Sequence, residues 1–219
     1  MPDNTQQKRI VAVGLKQLEG VLRIPAAPIG LVIFAHGAGS SRLSPRNNFV
    51  ADQLGLRGIA TLLFDLLTEP ESMDRANVFD IPLLSGRMIE AMDWARADTA
   101  LSSLPIGLFG ASTGAAAALV AATRAPQSTA AVVSRGGRPD LAGDTLPQVR
   151  APVLLIVGGA DDVVIDLNRI AAGRLVCPHR LEIVPGATHL FEEPGTMEKV
   201  VDLAGKWFET HFRAMGATT

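Results

Sequence analysis

The chain has 219 residues, 47% hydrophobic and 19% charged, which suits one domain with a full core. A net charge of −2, no long block of Lys or Arg, and only 5% aromatic residues with no tyrosine argue against a nucleic-acid surface. A single cysteine, Cys177, excludes an internal disulfide, and the polar start MPDNTQQKRI and the lack of any run near ~18 apolar residues lead us to expect a cytoplasmic protein with no membrane partner.

Residues 1–8 and 214–219 read as flexible tails around one domain. Ile10 to Val13 and Gly20 to Ile24 predict a hairpin at an antiparallel edge, closed off by Pro25 and Pro28. Gly30 to Ala35 is a continuous apolar run, the pattern of a strand covered on both faces, and it leads into His36-Gly37-Ala38-Gly39-Ser40. A helix is predicted over Pro45 to Leu56, then a buried strand from Ile59 to Leu63. Thr68 to Asp80 is polar and poorly periodic and is expected to be an irregular flap. Ile81 to Arg96 has helical spacing.

Ile106 to Phe109 is the next apolar run, followed at once by Gly110-Ala111-Ser112-Thr113-Gly114 and an alanine-rich helical segment that stops at Pro126. Further strands are predicted at Ala130 to Val133, Val153 to Val157 and Leu181 to Val184. Helices are predicted at Ile165 to Val176 and Thr196 to Phe212, the last amphipathic. About eight strands alternating with helices imply a mostly parallel sheet with helices on both faces. Ligands bind such sheets at the carboxyl ends of the strands. His36, Ser112, Arg135, Asp161 and His189 each follow a strand, so the topology gathers them on one edge.

Strand, G-x-S-x-G, helix is the context of a nucleophile elbow. Gly110 and Gly114 remove side chains where strand and helix nearly touch, and the turn aims the Thr113 N–H at whatever Ser112 attacks. A serine nucleophile needs a base, and the base needs an acid to fix its tautomer. His189 after the last strand and Asp161 after the one before supply them, in the chain order Ser, Asp, His that this architecture uses. Asp162 is the alternative acid, but it can instead cap the following helix. The loop after the first parallel strand is where the second oxyanion donor belongs: Ala38 N–H, with Gly37 N–H as fallback, beside Thr113 N–H. His36 is read as a brace for that loop.

These residues carry a resemblance. The motifs AHGAGS at 35–40, GASTG at 110–114, GGADDVV at 158–164 and PGATHLF at 185–191 resemble the α/β-hydrolase superfamily. Within it, the chain looks like the small dienelactone-hydrolase-like group that has no cap domain. The likeness runs from about residue 20 to 212 and implies the α/β-hydrolase fold. The chain departs from dienelactone hydrolases proper, which place a cysteine at the elbow: here it is Ser112, while Cys177 sits before Pro178 and reads as structural. Lactone specificity therefore does not carry over.

The chemistry expected is acyl transfer to water from a small ester, lactone or thioester, with no metal and no organic cofactor. Arg135 and Arg138 are candidates to hold a substrate carboxylate or phosphate, against pairing with Asp140 or Asp144. Glu69 and Arg75 are candidates for the pocket rim. His179 and His211 read as solvated. The last helix can pack on the sheet or on a second subunit, which leaves a homodimer open. A peptidase, a cofactor-free haloperoxidase-like activity and a catalytically silent ligand-binding protein are the competing readings.

Overall fold

The computed structural model describes residues 6–216. It opens with the hairpin β1 (Gln7–Val13) and β2 (Leu18–Ile24), followed by β3 (Leu31–Ala35), α1 (Pro45–Leu56) and β4 (Ala60–Phe64). Two short helices, α2 (Glu69–Met73) and α3 (Arg75–Val78), precede α4 (Ile81–Ala97). β5 (Ile106–Ala111), α5 (Thr113–Arg124), β6 (Thr129–Arg135) and a 3₁₀ stretch at Pro139–Gln148 follow. β7 (Val153–Gly158), α6 (Asp162–Ala172), β8 (His179–Val184) and α7 (Thr196–Gly216) complete the chain.

The strands form one eight-stranded sheet in the order β1-β2-β4-β3-β5-β6-β7-β8. β1 and β2 run antiparallel at one edge, and β2 meets β4 antiparallel; every pairing from β4 to β8 is parallel. This is the mostly parallel sheet expected from the alternating pattern, in the α/β-hydrolase arrangement that the resemblance implies. Alternate residues of the central strands feed two layers. Ile33, Leu108 and Val132 pack with Met88 and Met92 of α4 and the alanines of α5, whereas Phe34, Phe109 and Val133 pack under α1 and α7.

α7 lies on its own sheet through Phe208 and Phe212. Two glycines make room for it: a Cβ on Gly30 would sit 2.2 Å from the Phe212 ring, and one on Gly107 would sit 2.5 Å from Phe208.

The structure corrects the expected elements in several places. Gln7 and Lys8 are not tail but pair with Ile24 and Arg23, since an edge strand with one solvated face need not be apolar. Gln6 is also described and donates to Asp52 O, and residues 214–216 continue α7; the rest of the expected tails, 1–5 and 217–219, lies outside the described residues. The irregular flap is instead α2 and α3. Thr68 and Glu71 cap α2 reciprocally, Asp74 caps α3, and Arg87 on α4 holds the Glu71 carboxylate at 2.9 Å.

The helix predicted from Ile165 starts earlier, at Asp162, and ends at Ala172; Val176, placed in it by pattern, is exposed. His211 is half-buried edge-on against Trp207 rather than solvated.

Candidate active site

Ser112 occupies the junction of β5 and α5 with φ 51° and ψ −123°, a region that costs a non-glycine residue energy. Its hydroxyl makes no capping bond to α5. The strain persists because the surroundings leave no alternative. A Cβ on Gly110 would lie 2.4 Å from Ala115 Cα, and one on Gly114 would lie 2.2 Å from the Ala35 carbonyl oxygen. Ser112 N–H donates to Arg135 O at 3.3 Å, and Arg138 N–H donates to Ser112 O at 3.0 Å, so the turn after β6 clasps the elbow.

That turn also touches the histidine loop. A Cβ on Gly136 (φ 51°) would lie 3.0 Å from His189 O and 3.6 Å from His189 Cε1. His189 Nδ1 meets Asp161 Oδ2 at 2.7 Å. Asp161 stands at the cap position of α6, yet its carboxylate makes no cap bond and goes to the imidazole instead. Asp162 is the first residue inside α6, where its charge complements the helix dipole. Close backbone contact holds the two loops in register: Ala160 N–H donates to Ala187 O at 2.9 Å, and a Cβ on Gly158 would lie 2.4 Å from the same oxygen. Among the described residues no hydrogen bond joins Ser112 Oγ to His189 Nε2. Such bonds are often long before substrate is bound.

On the other side of the elbow, Gly37 abuts Ser112 so closely that a Cβ would be 2.9 Å from the serine Cβ. Ala38 N–H donates to Thr113 Oγ1 at 2.9 Å. His36 braces this loop as expected from sequence. Its Nδ1 faces Gly37 O at 3.0 Å and its Nε2 accepts from Leu66 N–H at 3.1 Å, which places the proton on Nδ1. Burial pulls the ring below the ordinary histidine range, against smaller opposing effects of the Gly37 carbonyl and Asp65.

A cavity of about 620 Å³ opens beside Gly37, Ala38 and Thr113 and runs between β2, β4 and α2. Leu18, Leu66, Leu67, Val78 and Leu84 supply its apolar wall, and Glu19, Arg42, Asp65 and Glu69 its polar side. Arg42 is tied to Asp65 and, at 2.5 Å, to Glu19. Of the four expected substrate residues, only Glu69 lies in this lining. Arg75 sits 5.7 Å over the Phe79 ring instead. Arg138 is engaged with both oxygens of Asp140, at 2.9 and 2.8 Å.

Arg135 is 6% exposed and, among the described residues, pairs with no carboxylate. It donates through Nη2 to Asn47 Oδ1 at 3.1 Å and lies 6.0 Å over the Phe191 ring, while Nε is unpartnered. Burial, with repulsion from Arg46, pushes its pKa down to about 10. Sequence reasoning missed Asn47, Phe191 and Asn168. Asn168 on α6 donates to Gly137 O at 3.0 Å and so steadies the clasp from below. Asn47 and Asn168 carry no local pattern that marks them, and Phe191 is marked only as the last residue of PGATHLF, not as a partner of Arg135.

Comparison with known proteins agrees with this fold. A model of the alpha/beta hydrolase domain matches residues 28–202. A dienelactone hydrolase from Anabaena variabilis is similar at 51% identity and a TM-score of 0.89, covering 94% of this chain and 98% of that one. A lidless α/β serine hydrolase from Xanthomonas campestris, at 19% identity, shares the fold with a TM-score of 0.75 over 96% of both chains.

A Mycobacterium tuberculosis protein provisionally named a phosphoribosyl transferase is 54% identical over 215 residues, which are 98% of this chain and 48% of that protein. The chain thus spans about half the length of the curated relatives it matches. With the family model over most of its length and these relatives above half identity, the chain belongs to the α/β-hydrolase family.

Proposed function

We propose that this chain is a serine hydrolase that cleaves a small ester, lactone or thioester through an acyl-enzyme. The observation that carries the reading is Ser112 in a strained elbow conformation, clasped by the turn that also packs against an imidazole oriented by Asp161. His189 takes the Ser112 proton as the hydroxyl attacks the carbonyl, returns it to the leaving group, and then activates water. The oxyanion is met by Thr113 N–H, which lies in the first turn of α5 where no intrahelical acceptor exists, and by Gly37 N–H, since Ala38 N–H is given to Thr113 Oγ1. The cavity beside these donors takes the body of the substrate, and Glu69 stands at its wall. Asp161, not Asp162, is the acid, because only the former reaches the imidazole.

The relatives' name points to another chemistry. They are about twice as long as this chain, and we assign phosphoribosyl transfer to the half that this chain does not match. One set of assays tests both assignments. The chain should hydrolyse p-nitrophenyl acetate and release no pyrophosphate from 5-phosphoribosyl pyrophosphate and a purine base. Ser112→Ala should lower kcat by at least on the order of 10⁴-fold. Asp161→Asn should cost about 10⁴-fold by fixing the wrong tautomer, and Asp162→Asn should stay within a few fold. Full activity in Ser112→Ala would refute the hydrolase reading.

A further inference from the structure

Thr113 is placed to do more than lend its backbone. Its side chain is 4% exposed, follows the nucleophile directly, and lines the cavity next to Gly37 and Ala38. Ala38 N–H donates to its Oγ1 at 2.9 Å. A hydroxyl that accepts through one lone pair still has its own proton to donate. Among the described residues no acceptor takes that proton. The Ser85 and Thr123 hydroxyls show the contrast: each donates to a carbonyl one turn back on its own helix. Thr113, at the first position of α5, has no such carbonyl behind it.

We propose that the Thr113 hydroxyl is itself a catalytic hydrogen-bond donor to the oxyanion, additional to the backbone N–H of the same residue. This inference rests on the serine-hydrolase reading above. The bond from Ala38 holds the oxygen in place and directs the O–H away from the loop. It also polarises the hydroxyl, since a group that accepts a hydrogen bond donates a stronger one. Threonine suits the role because its branched Cβ restricts χ1, so the donor is set before the charge develops. The engaged Ala38 amide is then not lost to catalysis: it acts through the hydroxyl it supports.

The rival view is that Thr113 only props the loop, or fills the oxyanion position and must be displaced. The two differ in a measurable way. Thr113→Val keeps the shape and removes the donor, Thr113→Ser keeps the donor, and Thr113→Ala removes it with no added bulk should valine prevent folding. Each is assayed for kcat and KM on p-nitrophenyl acetate and for inhibition by phenylboronic acid, whose tetrahedral adduct carries the oxyanion. In Thr113→Val we expect kcat to fall by about 10²-fold with KM within about threefold, and boronate affinity to fall in parallel. Thr113→Ser should keep kcat within about fivefold of wild type. An active wild type with wild-type or faster kcat in Thr113→Val or Thr113→Ala overturns this inference alone, as does a serine variant as slow as the valine one. A wild-type protein that neither turns over the ester nor binds the boronate overturns the hydrolase reading and this inference with it.

Discussion

At the scale of single residues, the site depends on side chains whose charge and protons are fixed by neighbours. His36 is an example. Its Nε2 must stay unprotonated to accept from Leu66 N–H, and burial lowers its proton affinity in the folded state. Above a pH of about 6.5 the ring is neutral both folded and unfolded. As the pH falls below that, the unfolded chain binds the proton first, so stability drops until the buried ring protonates too. His211, also held down by burial, adds to the same trend. The midpoint of thermal unfolding is therefore expected to fall as pH is lowered from about 6.5 towards 5. His36→Asn should flatten that slope while lowering the midpoint at neutral pH. An unchanged slope in the variant would show that the ring is not what titrates.

At the scale of elements, glycines decide where strands, helices and loops approach. Gly30 faces Phe212 at a distance no side chain fits, and that ring is itself 2% exposed, so it has nowhere to go. Gly30→Ala should cost about 2 kcal/mol by overpacking, a drop of about 4–8 °C in Tm for a chain of this size. Gly86, within α4 and with open space around its Cα, is the control: Gly86→Ala should raise stability by about 0.5–1 kcal/mol.

The parallel strands and the elbow were legible in the sequence because burial on both faces writes continuous apolar runs, and because the close approaches at Gly110 and Gly114 demand glycine at fixed spacing. The reciprocal cap of α2 was also written there, in Thr68 and Glu71, but the segment has no buried residue, so no periodicity announced a helix. The 3₁₀ stretch at Pro139–Gln148 was hidden because Pro139, Gly143 and Pro147 read as loop residues. The differing fates of Arg135 and Arg138 are set by partners far apart in the chain, Asn47 and Phe191 for one, and by Asp140 close by for the other. Only the second of these was within reach of sequence reasoning.

At the scale of the whole molecule, one sheet divides two cores that carry one tryptophan each. Trp94 on α4 packs against the core beneath α4 and α5, and Trp207 on α7 against the core beneath α1 and α7. If the chain is one cooperative unit, Trp94→Phe and Trp207→Phe, followed by fluorescence and by circular dichroism, should each show coincident transitions by the two probes. Transitions that separate between probes or variants would reveal two units. The placement of α7 reaches further. Phe208 and Phe212 stand near the end of the described residues, yet they fill the grooves that Gly30 and Gly107 leave in the central strands. Until the ribosome has added this helix, that face of the sheet is covered by α1 alone. The strands that hold Gly30 and Gly107 therefore wait for a helix made well after them before this face can close, and that interval is when a chaperone or an aggregate has its opportunity.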